Sequence, residues 1–532
     1  MSKRYLRPAF ILAAALLSGC SRHVHSGRDA GNILRYAIAG RPTTFDPAMV
    51  QDSATIDMLQ NAFDGLVQYT PDNTLAPALA QSWDVSKDGL TYTFHLRSGV
   101  KFQDGNPVTA QDVYYSLRRA LDPGLASPVA LDYLGNIEGA RDVRAGRSGD
   151  LTGVKVVGPG TVSIHIVKPG SYWIESLTAP AAAVVSKAEA APHREMTDAD
   201  LARGAGSGPF RLTSYNANQD VQMAANPAYY QGAPKIAGIS RPIVTNANTR
   251  HAMYQQGSLD IVDVKRGDLD ADLKDPELKS EVRFFPRATT FYLALNQKAA
   301  PAFRDVRVRQ ALACAIDKQQ IRHVVLADRM DVAEDILPAG IDGFDPRFKG
   351  LPYDPKRAQA LLAAAGYPGG KGFPAIPITY REGDPDIEKT VDQIRQMWDT
   401  TLGVKVDARR LEWGVMLSLR NKDSLECWHS NWAADYLDAQ DFYSTLFRTG
   451  TSSNHVGYSN AAYDKLCDAA DVERDPAKRK SLYRKAARII ADEVPMIPLY
   501  YFKRAELIKP AVSGLDDCLL GHLPLKNVTL HR

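Results

Sequence analysis

Apolar residues along this chain follow two rhythms. Tyr92, Phe94 and Leu96 alternate with Thr91, Thr93 and His95, and Val162, Ile164 and Ile166 repeat the period of two. That pattern predicts strands with one buried face, and it puts His95 and His165 on the polar side rather than in a catalytic centre. Elsewhere the period is helical. Val113, Leu117 and Ala120 follow Thr109 and Asp112, a capping box with Asp in place of Glu or Gln. Val308, Leu312, Ala315 and Ile316 have helical spacing after Asp305. Asp354-Pro355 joins an N-cap to Pro at the first helical position, and Gly366 stops the run. Asp475-Pro476 repeats the device before Leu482, Ala486, Ile489 and Ile490. Short strands alternating with helices throughout predict an α/β protein.

The stretch from Ile376 to Trp432 is the most informative. It predicts a strand over Ile376 to Tyr380, a helix over about Ile387 to Leu402, and a strand over Val404 to Leu411. A helix over about Val415 to Arg420 and a strand over Glu426 to Trp432 follow. Parallel strands with crossover helices form an open sheet, which binds ligands beyond the carboxyl ends of its strands. The chain leaves the last strand as Trp432-Ala433-Ala434-Asp435-Tyr436. Asp435 there is either a crevice carboxylate in reach of a cationic ligand group or a surface turn residue, and the pattern alone leaves both open.

Length and charge narrow the class. A chain of 532 residues exceeds one ordinary core, so two or more lobes are expected. With 64 basic against 61 acidic residues there is no basic surplus of the kind nucleic acid requires. Residues 1–19 read as a signal peptide: Lys3, Arg4 and Arg7 precede an apolar run from Pro8 to Leu17 that is too short to span a bilayer. The polar segment 20–32, with His23 and His25, reads as a tether rather than a metal site. Cys314, Cys427, Cys467 and Cys518 lack CxxC spacing, so no metal or redox motif is expected; Cys314 reads as a buried thiol, and a bridge among the others stays open.

No catalytic constellation emerges. Ser207 in Gly204-Ala-Gly-Ser-Gly is one residue out of register for a nucleophile elbow, and no His is followed by Glu. Gly366 to Gly372, with Lys371, is too short for a phosphate loop and reads as a helix-ending turn. No enzyme activity, cofactor or metal is expected.

Ser82 to Pro123 (SWDVSKDGLTYTFHLRSGVKFQDGNPVTAQDVYYSLRRALDP) resembles the signature region of family 5 bacterial extracellular solute-binding proteins. Ser207 to Leu212, Asn226 to Tyr230, Phe303 to Leu312 and Glu493 to Tyr501 resemble further blocks of that family in the same order. The resemblance implies a two-lobed periplasmic-binding-protein fold (type II, cluster C) with an additional inserted domain. It implies lobe I from 33–63, 188–287 and 505–532, an inserted lobe II at 64–187, and lobe III at 288–504. Leu17-Ser-Gly-Cys20 resembles a lipobox, which implies acylation at Cys20 and a lipid-anchored protein on the periplasmic side of the cell envelope.

Asp122 to Pro128, Asn136 to Gly139 and Trp432 to Tyr436 resemble the oligopeptide-binding branch. The resemblance implies a monomer that captures peptides and delivers them to the permease and ATPase of an ABC importer. It implies Asp435 as partner of the peptide's α-amino group, next to Trp432, with the backbone of Asn431 and Ala433 as ladder partners. Ser53 would meet the ligand from the opposite lobe. The chain departs from the branch at His429, where relatives often have Arg, at Leu326, near a Lys of the relatives, and at Val129, where they have an aromatic wall. His429 is therefore expected as a weaker, pH-dependent ligand donor. The alternatives are a same-fold binder of a nickel chelate, sugar, haem or signalling peptide, and behind those an envelope chaperone or enzyme.

Overall fold

The computed structural model describes residues 32–532; the leader, the tether and Cys20, with His23 and His25, lie outside the described residues. The alternation over Thr91–Leu96 forms a strand that buries Tyr92, Phe94 and Leu96. It belongs to an antiparallel sheet ordered Ala80–Val85, Thr91–Leu96, Thr161–His165, Val154–Gly158. A helix over Ala110–Ala120 packs on that sheet through Val113, Leu117 and Ala120. Its start confirms that Asp serves in the capping box: the Thr109 backbone N–H and hydroxyl both donate to Asp112 Oδ2, at 2.9 and 2.6 Å. His95 contacts Asp84 at 2.9 Å and His165 contacts Thr91 at 3.0 Å, so cross-strand neighbours hold both rings.

A second sheet runs Ile33–Arg35, Gly238–Pro242, Asp220–Ala225, Phe210–Asn216, with the first pair parallel. Beside it lies α1 (Ser53–Leu59), capped by Asp52, whose Oδ1 accepts the Thr55 N–H at 2.9 Å. A buried ion pair between Asp46 and Arg119 joins this layer to the Ala110–Ala120 helix. Asp46 also accepts the Met196 N–H at 3.0 Å, so the buried charge has several donors.

The third sheet is the largest. Its strands are β1 (Ile261–Asp263), β2 (Val282–Leu295), β3 (Asp331–Val332), β4 (Ile376–Arg381), β5 (Val406–Leu411), β6 (Cys427–Ala433) and β7 (Met496–Ile508). The order is β1-β7-β2-β6-β4-β5, with β3 on β7. β2 and β7 are long antiparallel partners: β1 joins β7 at one end, and β6 flanks β2 toward the other. α2 (Arg266–Asp272) follows β1, α3 (Pro385–Leu402) links β4 to β5, and α4 (Trp413–Asn421) links β5 to β6. β4 is parallel to both β5 and β6, as the sequence pattern predicts, and lies between them. The connection from β4 runs out to β5 and the next crosses back past β4 to β6, which makes the β4–β6 boundary a topological switch point. Trp398 of α3 is buried, and its indole N–H donates to the Leu312 carbonyl at 2.9 Å. Cys314, Cys427, Cys467 and Cys518 are all buried free thiols.

The C-terminal segment is fastened to β7 by a buried charge cluster. His522 Nε2 lies 2.7 Å from Glu506 Oε2, and its Nδ1 lies 2.9 Å from Asp517 Oδ1. Burial alone lowers the pKa of His522, but its close contacts with Asp517 and Glu506 and the nearby carboxylates outweigh it and push the value up to about 9. The folded state thus holds a proton that the unfolded chain releases near 6.5. The resulting stabilisation, at most about 3 kcal/mol, is complete below pH 6.5 and is lost as pH rises through about 9. Thermal melts between pH 7 and 10 should show a falling Tm in the wild type and a flatter profile in His522→Gln. Parallel profiles would rule this pair out as the source.

Candidate ligand-binding cleft

β6 is paired with β2 along its whole length, from Cys427↔Leu295 to Ala433↔Thr289. Its other neighbour, β4, meets it only at Ile378↔Cys427 and Thr379↔Trp428. Beyond Trp428 that edge of β6 is covered by no strand among the described residues. The Ala434 N–H donates to the Ala288 carbonyl at 2.8 Å, which fixes the parity of the ladder. Ser430, Trp432 and Ala434 direct their backbone groups to β2, so His429, Asn431 and Ala433 direct theirs to the open edge. An extended chain laid there can add to the sheet by main-chain hydrogen bonds.

A cavity of about 680 Å³ opens at this edge, within the range of small-molecule sites. Asn431, Thr289, Phe291 and Tyr500 contribute its sheet-side wall, and Ser53 at the start of α1 lines it too. Ser53 and Asn431, distant in sequence, are thus brought to one cleft. Leu326 lines it as well. Charged groups crowd one wall: Arg266, Arg329 and Arg381 with Asp384 and Asp386.

Asp435 stands past the end of β6, outside the lining of that cavity. Its backbone N–H donates to Asp441 Oδ2 at 3.0 Å, so the loop is held while the side chain stays exposed. Surrounding protein, and then the charge of Asp132, push its pKa up to about 6. It is therefore mostly ionised at pH 7 and has no cation pairing with it among the described residues. Buried Asp441 is held well above the usual carboxylate range, by burial first and by Asp435 second.

Two expected site residues are used differently. The Trp432 indole N–H donates to Asp441 Oδ2 at 3.0 Å, which commits its polar edge to the protein. His429 is not the pH-dependent donor expected. Its ring is 1% exposed, beneath Phe291 and Tyr500, whose ring centroids lie 5.8 and 6.3 Å away. Burial, followed by the charge of Arg381, lowers its pKa to about 3, so it is a neutral floor residue at every physiological pH. The expectation failed because strand alternation specifies a face and not a depth: His429 shares a face with Asn431 but lies where the aromatic layer closes. The sequence reading also missed Arg266, Arg329 and Arg381. Arg381 could have been found as the last residue of a parallel strand; the other two carry no local signal.

Residues 74–454 match the family described as bacterial extracellular solute-binding proteins, family 5. The dipeptide-binding protein DppE of Bacillus subtilis is 29% identical, covering 96% of each chain. The unliganded open form of the periplasmic murein tripeptide-binding protein MppA superposes with a TM-score of 0.82 at 26% identity, over 94% of this chain and 97% of that one. The OppA of Haemophilus influenzae in complex with the peptide RPPGFSPFR superposes with a TM-score of 0.74 at 25% identity, over 95% of this chain and all of that one.

Proposed function

The chain belongs to the bacterial extracellular solute-binding proteins of family 5, and on that premise we propose that it captures peptides in the cleft and delivers them to the permease and ATPase of an ABC importer. The observation that carries this reading is the uncovered edge of β6 beside the cleft, with the backbone groups of Asn431 and Ala433 turned toward it. Backbone recognition accepts many side chains, which suits an importer of varied peptides. The cleft is read as a binding site and not a catalytic one. The lobe bounds 33–63, 64–187, 188–287, 288–504 and 505–532 belong to the same proposal. In its favour, the first sheet lies inside 64–187, and β2 and β7 run through the junctions near 287 and 504 as hinge strands.

Asp435 is the anchor for the peptide's ammonium group in this reading. An ionised carboxylate with no cationic partner, two residues past the open edge, suits that role. Removing one member of a desolvated charge pair costs about 2–5 kcal/mol, roughly 1.5 to 3.5 orders of magnitude in affinity. Asp435→Asn should show such a loss in calorimetry, and N-acetylation of the peptide should show the same loss without adding to it. Asp435→Asn binding within about threefold of wild type would reduce Asp435 to a turn residue.

The higher TM-score to an open form than to a peptide complex supports reading the present cleft as open. Binding then closes the lobes about β2 and β7. Small-angle scattering should give a smaller radius of gyration with bound peptide, and an unchanged radius with verified binding would defeat the closure.

Acylation at Cys20 would place the protein at the membrane surface, since several acyl chains anchor firmly at roughly 0.8 kcal/mol per buried CH₂. Cys20→Ser should move the protein from the detergent phase to the aqueous phase. Wild-type protein already in the aqueous phase would contradict the anchor.

A further inference from the structure

The stretch that carries Asp435 is held at each residue from 434 to 438. The Ala434 N–H donates to the Ala288 carbonyl at 2.8 Å, and the Asp435 N–H to Asp441 Oδ2 at 3.0 Å. Buried Asp438 is gripped through both carboxylate oxygens by Arg479, at 2.6 and 2.7 Å. The remaining supports are remote in sequence. The buried Leu437 N–H donates to the Tyr69 hydroxyl at 2.9 Å, and that hydroxyl donates to Glu175 Oε2 at 2.8 Å. One residue back, the Tyr436 ring stacks on Tyr172, with centroids 5.9 Å apart and planes inclined by 11°.

Tyr69, Tyr172 and Glu175 all belong to the stretch 64–187. Among the described residues, none from that stretch lines the cavity. It acts from behind. Tyr69 ends the strand Val67–Tyr69, paired with Leu75–Pro77 in a hairpin, and is buried in the same apolar cluster as Trp428, Ile336 and Leu437. Asn73 in the hairpin turn accepts the Leu519 N–H at 2.7 Å. The Ser171 N–H donates to the Asp471 carbonyl at 3.0 Å, and Arg474 Nη1 to the Ser86 carbonyl at 2.9 Å. These contacts make the Tyr69 hydroxyl a fixed point. Burial, and after it the charge of Asp438, push the pKa of Glu175 up to about 8, so at pH 7 it is mostly an uncharged acceptor for that hydroxyl.

We propose that Tyr69 is a positioning residue for the amino end of the ligand: through the Leu437 N–H its hydroxyl sets where the Asp435 carboxylate stands before a peptide arrives, supported by Glu175 and by the Tyr172–Tyr436 stack. The proposal rests on the peptide reading, with Asp435 as the ammonium anchor, and adds a role for the stretch 64–187. The physical reason is preorganisation. A loop that must be ordered at binding gives up part of the ion-pair energy to that ordering, and a loop already fixed does not. Ion-pair strength also falls with separation, so a displaced loop weakens the ammonium contact. The main-chain groups of Asn431 and Ala433 are held independently by the ladder with β2, so contacts made there are spared.

The ratio of affinities for tetraalanine and N-acetyl-tetraalanine, measured by titration calorimetry at pH 7, reads the ammonium contact alone. Wild-type protein should prefer the free amine about thirtyfold or more. Tyr69→Phe keeps the ring and removes the hydroxyl. It should weaken tetraalanine about fivefold to a hundredfold, the range for a buried N–H that loses its acceptor, and N-acetyl-tetraalanine by less than about twofold. Glu175→Leu should reproduce this pattern, and Glu175→Gln, which keeps an uncharged acceptor, should restore the preference. Tyr172→Ala, which removes the stack, gives the same comparison if Tyr69→Phe does not fold. Equal proportional losses for the two peptides, or an unchanged affinity for tetraalanine, would overturn the positioning role and leave the peptide reading standing. Wild-type protein that binds both peptides equally, or neither, would overturn the Asp435 anchor and this proposal with it.

Discussion

The cleft depends on the point where β4 parts from β6. β4 keeps its partner β5 to the end, from Ile376↔Val406 to Arg381↔Leu411, and the Glu382 N–H still donates to the Leu411 carbonyl at 3.0 Å. On its other side the ladder stops at Trp428. The turn at Gly383-Asp384 then starts α3, with Pro385 at its first position, and Pro has no N–H to extend a ladder. An exposed strand edge is ordinarily a liability, since its unpaired groups invite any extended chain. Here the edge is recessed in a cleft under Ser53 and the charged wall, so the invitation is restricted to a chain that fits between them.

The chemistry of the cleft follows from that geometry. Main-chain groups along β6 are blind to side-chain identity, and the floor beneath them is aromatic: Phe291 stacks on Tyr500 with ring centroids 4.8 Å apart. His429 belongs to this floor, and its neutrality follows from burial in an apolar layer beside Arg381. Charge also lines the cavity, with Arg266, Arg329 and Arg381 beside Asp384 and Asp386, while Asp435 lies beyond β6 and outside that lining.

Much of this was legible in the sequence, for identifiable reasons. Strand-helix alternation over 376–432 specified a parallel unit, because crossover helices leave few other solutions. The Thr109–Asp112 box and the Asp-Pro helix starts were legible because capping is local chemistry. Depth was not legible: His429 and Asn431 share one face, yet one lies under the aromatic floor and the other lines the cavity. Nor were pairings between remote segments. Arg266 finds Asp386 and Arg329 finds Asp270 only once both lobes are assembled, and no spacing rule connects such positions.

The long strands that join the lobes carry a built-in irregularity. The β2–β7 register shifts between Pro286 and Thr290, and again between Phe291 and Tyr292. In the first gap the β2 backbone turns to other partners: the Ala288 N–H donates to the Leu519 carbonyl at 2.9 Å, and Arg287 grips Asp517 at 2.8 Å. Such bulges interrupt the ladder and sharpen the local twist without ending the strands. The break falls at Thr289 and Phe291, which line the cleft, and beside the start of the open edge. A regular ladder there would resist bending and cover the wall with paired backbone. If the lobes close as proposed, this interrupted stretch is where the sheet would resist bending least, and it coincides with residues that line the cleft.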